Sequence, residues 1–330
     1  MRRRKRKLRR IKCLAISVLI ILLNVILVIR AVGKIGEYAE VIYEENGLKY
    51  MKTSENTGNS LQKEAEHTKE SALKDSSYEC GMDDYPGYCE LSHVEKPEER
   101  TMSQILERLG NLSETDERFY TILENYDRYP REMLESLANN PEMADFVVNY
   151  LEKKGTFGGG LNDYEKSQEY PLFLQWDPRW GYISYGDDSV IGLAGCGPAS
   201  LSMALYYLTG DETITPDQVA AYSMKNGYWA SGKGTAWALL GDYSAIYDIC
   251  AEELPMDENI MKRELDQGHI LILSMRKGDF TLEGHFIVIY GYGEDGFRVN
   301  DPNCVARSRK SWSIEELQGQ VNNIWSLYQM

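Results

Sequence analysis

The spacing of apolar positions changes several times along the chain. Cys13 to Ile29 is an unbroken uncharged run of 17 residues, near the lower limit for a helix that spans a bilayer. Residues 30–100 then lose any sustained apolar period and read as a polar stalk or linker. From 101 to 154 the period is helical: Met102, Ile105, Leu106 and Leu109, then Met133, Leu134, Leu137 and Ala138, then Met143, Phe146, Val147 and Tyr150. Pro130 and Pro141 stand where helices begin, with Asn140 as an N-cap. Gly155-Thr156-Phe157-Gly158-Gly159-Gly160 opens a flexible joint over residues 155–169. Leu201, Ala204, Leu205 and Leu208 predict a buried helix ended by Gly210. Residues 216–226, capped by Thr215, and residues 235–247 and 261–266 predict further helices. Residues 270–275, 285–292 and 297–300 read as strands, and 313–328 mixes a helix with a last strand. The pattern from 170 to 330 is therefore that of an α+β domain.

Charge adds a topology. The formal net charge is −15, yet nine Lys and Arg lie in residues 1–12, which leaves −24 for the remainder. That acidic remainder argues against a nucleic-acid partner, because phosphate binding needs clustered positive charge. The basic tail, residues 1–12, is expected to stay cytoplasmic, with residues 13–29 as a single membrane helix and everything after about Val32 outside. The rival is a cleaved signal peptide with Ala31-Val32-Gly33 as its site, although the apolar run is longer than a usual signal core. Cys80 and Cys89 flank Asp83-Asp84-Tyr85-Pro86-Gly87. Outside the cytoplasm the pair could close a small disulfide loop; a metal site is the rival, but neither a histidine nor a second cysteine pair accompanies it.

The candidate chemistry centres on Gly195-Cys196-Gly197-Pro198. Gly195 and Gly197 permit a sharp turn and close approach, and Pro198 suits a first helical turn. Cys196 is thus expected at a helix N-terminus, where unpaired N–H groups and the macrodipole favour the thiolate. A cysteine nucleophile needs a base and a group to orient it. Of the four histidines, His67 and His93 lie in polar stretches, whereas His269 and His285 each open an apolar strand. Downstream of His285, a hairpin turn around Gly293-Glu294-Asp295-Gly296 brings Asp301 onto the adjacent antiparallel strand.

Four motifs, Gln175-Trp176-Asp177-Pro178-Arg179-Trp180-Gly181, Gly195-Cys196-Gly197-Pro198, Gly284-His285-Phe286-Ile287-Val288 and Asn300-Asp301-Pro302-Asn303, occur in an order that resembles the C-39-like cysteine peptidases, papain-fold relatives of the bacteriocin-processing peptidases. The similarity covers roughly residues 170–330, and residues 101–154 resemble a segment that often precedes this domain. The resemblance implies Cys196 as nucleophile, His285 as general base and acid, Asp301 as the orienting group, and Gln175 as the oxyanion-hole donor beside the Cys196 N–H. In papain-like enzymes that glutamine lies a few residues before the cysteine. Here it lies 21 positions upstream, so a long loop must fold back; the alternative is that Gln175 caps a strand.

The expectation is therefore a membrane-anchored, extracytoplasmic cysteine peptidase of papain-like fold, with the nucleophile on a helix and the base on an antiparallel sheet, acting on peptide or protein substrates. Acyl transfer through a cysteine thioester needs no metal or organic cofactor. Two alternatives share the motifs: a cell-wall peptide amidase or transpeptidase, and a peptide-binding domain without turnover. The geometry is constrained further by parity. Side chains alternate along a strand, so His285 and Asp301 share a face only if the hairpin loop holds an odd number of residues, three at Gly293-Glu294-Asp295, or if a bulge compensates.

Overall fold

Residues 93–232 and 234–329 are described by a computed structural model. The basic tail, the apolar run 13–29, most of the stalk, His67 and the Cys80/Cys89 pair lie outside the described residues. Among the described residues, no helix is long and apolar enough to cross a membrane.

The helical period of the first described segment produces α1 (Met102–Ser113), α2 (Glu117–Leu123), α3 (Arg131–Asn139) and α4 (Ala144–Lys153). Thr101 and Gln104 form a reciprocal cap at the start of α1. Asn140 caps a single 3-10 turn, Pro141–Met143, that leads into α4. The apolar stripes at 133–138 and 143–150 are buried in the same cluster as Leu172, Phe173, Trp176 and Leu201, so this segment shares one core with the residues that follow it.

The glycine-rich stretch differs from the expected flexible joint. It carries the short helix α5 (Asp163–Ser167) and is tied down by Gly155 N–H to Tyr182 C=O at 2.8 Å and Gly158 N–H to Arg179 C=O at 2.9 Å. After α6 (Ile191–Ala194) comes the central helix α7 (Cys196–Thr209), buried on nearly every side and ended by Gly210 at φ 67°. α8 (Pro216–Lys225) follows, with Thr215 at the N-cap position but without a side-chain bond. The loop after α8 folds into a small hairpin of β1 (Trp229–Ala230) and β2 (Gly234–Thr235), so the next helix, α9 (Ala238–Ser244), begins later than residue 235.

The main sheet contains β3 (Ile249–Leu254), β4 (Ile270–Arg276), β5 (Gly284–Gly293), β6 (Gly296–Asn300), β7 (Ser311–Trp312) and β8 (Val321–Gln329) in the spatial order β3-β8-β4-β5-β6-β7. Every neighbouring pair is antiparallel. α10 (Glu258–Asp266), α11 (Val305–Arg309) and α12 (Ile314–Gln318) complete the fold. Alternation along β5 divides the interior: Phe286 and Val288 join the large cluster around α7, whereas Ile287 and Ile289 join a second cluster with Met261 and Leu317.

The β5–β6 hairpin departs from the three-residue loop expected from parity. Gly293 pairs Gly296, leaving the two-residue loop Glu294-Asp295. A β-bulge at Tyr290, between the pairs Ile289↔Val299 and Gly291↔Arg298, restores the parity that the even loop would break. Gly296 sits at φ 125°, and a Cβ there would lie 2.5 Å from the carbonyl oxygen of Trp312.

Because α3 contributes to the common core, Leu137→Ala, at a position with no exposed surface, is expected to cost about 2–5 kcal/mol. The loss should appear in one cooperative urea transition seen equally by far-UV circular dichroism and tryptophan fluorescence. Two separate transitions would show that the helices fold independently of the sheet.

Candidate active site

The turn before α7 is built by close approach. Gly195 donates its N–H to Ile191 C=O at 2.7 Å, closing α6 immediately before Cys196. A Cβ at Gly197 would lie 2.8 Å from the Thr235 side chain, so β2 packs directly on the helix start. Thr235 is held there by the Tyr185 hydroxyl at 2.7 Å, which also bonds Ser223. The half-buried Cys196 is thus the first residue of α7, and a first helical N–H has no partner within its own helix.

β5 and the end of β6 supply the other two groups. Continued beyond Val288↔Asn300, the register sets Asp301 opposite Ile287, the diagonal neighbour of His285 on one face. His285 Nε2 donates to Asp301 Oδ1 at 2.6 Å. The Cys196 side chain also acts on the imidazole, whose Nε2 is taken by Asp301. Burial opposes a charged imidazole, but the Asp301 carboxylate and the Cys196 side chain outweigh it and hold His285 up at about 9. Burial likewise opposes the Asp301 carboxylate. The charges of Arg307 and His285, with their hydrogen bonds, outweigh it and hold Asp301 at about 2.

Gln175 is brought to the same place by the long return loop. Its N–H donates to Pro302 C=O at 2.7 Å, next to Asp301. Its Nε2 donates to Gly192 C=O at 3.1 Å, in the turn that leads into Cys196. One amide proton remains, and the Oε1 atom is buried without a partner. The rest of its motif is structural. Arg179 bridges Asp177 and Glu165 at 2.6 and 2.5 Å, Trp180 Nε1 donates to Leu174 C=O at 2.7 Å, and Trp176 Nε1 donates to Asn303 C=O at 2.9 Å.

The structure therefore brings Cys196 to the hydrogen-bonded His285–Asp301 pair, with Gln175 tied to Pro302 on one side and Gly192 on the other. His269 stands apart, engaged with Glu264 at 2.9 Å and stacked on Tyr328. Cys304 is buried and accepts from the Arg307 N–H at 3.4 Å, and burial pushes its thiol well up. Sequence reasoning missed the surroundings of Asp301. Arg307 Nε donates to Asp301 Oδ2 at 2.6 Å, Asn303 N–H to Asp301 Oδ1 at 2.8 Å, and Asp301 N–H to Ser308 Oγ at 2.8 Å. The run Arg307-Ser308-Arg309-Lys310 reads as solvated charge, and only its distance of six residues from Asp301, about one helical turn and a cap, could have marked Arg307.

Residues 167–329 match the model of the family described as the Peptidase_C39 like family. The match spans all four motifs, from Gln175 to Asn303, and bears out the resemblance they carry. Similar solved structures include the peptidase domain of Streptococcus ComA, a bi-functional ABC transporter involved in a quorum-sensing pathway, at 19% identity and TM-score 0.35, covering 49% of this chain and 99% of that one. A double glycine motif protease from an AMS/PCAT transporter, in complex with a leader peptide, is similar at 20% identity and TM-score 0.30, over 41% of this chain and 83% of that one. A putative C39-like peptidase from Bacillus anthracis is similar at 15% identity and TM-score 0.33, over 49% of this chain and 95% of that one. No curated protein matches the chain.

The His285 shift has a consequence for stability. A histidine raised from 6.5 to about 9 on folding contributes stability that is complete below pH 6.5 and is lost as pH rises through about 9. Over that window the wild type is expected to lose on the order of 2–3 kcal/mol more than His285→Gln. Urea titrations at fixed pH measure the difference, and parallel losses would show that Asp301 does not hold the imidazolium.

Proposed function

From a segment that matches the Peptidase_C39 like family and sets Cys196 by the hydrogen-bonded His285–Asp301 pair, we propose a cysteine peptidase that cleaves peptide or protein substrates. The observation that carries this reading is the imidazole of His285, bonded to a buried carboxylate and acted on by the cysteine at the start of α7. Cys196 attacks the scissile carbonyl as the thiolate, its proton having passed to His285. The oxyanion that forms is received by the remaining amide proton of Gln175 and the Cys196 N–H. His285 then protonates the leaving amine, and the Cys196 acyl thioester remains. A water molecule, deprotonated by the same imidazole, hydrolyses the thioester and returns the free enzyme. Asp301 keeps the ring turned throughout and stabilises its positive form.

We also propose that residues 13–29 anchor the chain, with the basic tail cytoplasmic and the peptidase outside. Protease added to intact cells should then remove the epitope of the C-terminal region while the N-terminal tail stays protected. A C-terminal region that resists until the membrane is opened would overturn that orientation.

Cleavage of a peptide library by the full chain, read by mass spectrometry, tests the activity. Cys196→Ala is expected to lower cleavage at least about a thousandfold. Gln175→Ala should lower kcat by about 10²–10³-fold while the thiol still reacts with a peptide electrophile. Cleavage that survives Cys196→Ala, or labelling that does not depend on Cys196, would overturn the reading.

A further inference from the structure

Behind Asp301 lies a second buried ion pair that the triad does not require. Arg307 is 5% exposed, and its Nε contact with Asp301 is one half of a longer row. Its Nη1 is buried without a partner, so the guanidinium is not spent on a full set of hydrogen bonds. Beyond it stands Glu142, 6% exposed and supplied by the helical segment, whose charge acts on Arg307. Glu142 accepts the N–H groups of Val305 at 2.7 Å and Ala306 at 3.0 Å, the first two residues of α11. Next to it, the Asn140 side chain donates to the carbonyl of Asn303. The turn that carries Asp301 is thus gripped from the helices, through residues outside the family match.

Desolvating a cation here costs more than filling the space with an apolar side chain, so packing alone does not account for Arg307. We propose that Arg307 and Glu142 are positioning residues for the His285–Asp301 pair: Arg307 anchors Oδ2 so that Oδ1 stays aimed at the imidazole, and Glu142 anchors the turn that presents Arg307. The proposal rests on the peptidase reading. The groups facing this pair are Cys196 from α7, Arg307 and Cys304 from the turn and α11, and Glu142 from the helical segment. Cys304 is kept neutral by burial. In the reactive state the charges alternate along the row from the Cys196 thiolate to Glu142.

Alternation sets opposite signs for two substitutions. Removing the cation at 307 lets the full Asp301 charge act on the imidazolium, which then holds its proton to higher pH. Neutralising Glu142 removes a negative charge that acts on Arg307 from beyond it, and the imidazolium loses its proton at lower pH.

The readout is the alkylation rate of Cys196 by iodoacetamide in the full chain, followed against pH by mass spectrometry of the Cys196 peptide. It needs no substrate and separates Cys196 from Cys250 and Cys304. The wild type should react below neutral pH and show a step near pH 9, where His285 titrates. Arg307→Met should move that step up by about one pH unit and Glu142→Gln down by about half a unit. Arg307→Lys should return the step to its wild-type position without restoring turnover, because the ammonium keeps the charge but not the planar Nε donor. With a cleaved peptide, Arg307→Met should lower kcat per alkylatable site about tenfold or more with KM little changed. A wild-type step that stays in place in all three variants overturns the positioning role alone. A wild-type Cys196 that alkylates like an ordinary thiol, with no reaction below neutral pH, overturns the peptidase reading itself.

Discussion

A carboxylate with no exposed surface must be met by positive charge and donors, or it takes up a proton. Asp301 is in that position, and the architecture around it answers the demand from every side. His285 arrives on β5, Arg307 on α11, and the N–H of Asn303 closes the turn. Each partner requires its own support. The His285 strand must keep its register against β4 and β6, α11 must begin where Glu142 can receive its first N–H groups, and α7 must present Cys196 at the open side of the imidazole. The sheet, the helix that begins with Cys196 and the preceding helices are thereby coupled through one buried charge.

Much of this was legible in the chain. Glycines on both sides of Cys196 announced close approach, and β2 and the α6 turn provide it. The helical stripes around Met133 and Phe146 are buried as their spacing predicts. Parity along β5 and β6 demanded either an odd loop or a bulge. The protein uses the bulge at Tyr290, because Gly296 adopts a conformation that other residues resist and so permits the shorter loop.

What escaped sequence reasoning was long-range or locally ambiguous. β3, Ile249–Leu254, mixes half-buried and exposed positions as an edge strand, so its alternation is weak. Strand status at 229–230 and 234–235 comes from their mutual pairing and from packing of Trp229 on Gly186 and Thr235 on Gly197 rather than from propensity. Glu142 and Arg307 carry residue types that usually face water, and their roles arise only when segments 163 residues apart meet, as Glu142 and Val305 do. Gln175 was placed by resemblance, and its path became intelligible only with the Asp177–Arg179–Glu165 cluster that turns the chain back.

The strand order carries a consequence for how such a chain comes off the ribosome. β8, the last strand described, lies between β3 and β4, so the middle of the sheet is filled by residues synthesised after all the candidate catalytic groups. Until Val321–Gln329 has emerged, β4 and β3 have no common neighbour, and β5 has no settled platform on which to hold His285 against Asp301. A nascent or truncated chain can therefore present Cys196 without the His285–Asp301 pair set beside it. Strand order alone thus delays assembly of the sheet's centre until Val321–Gln329 has been synthesised.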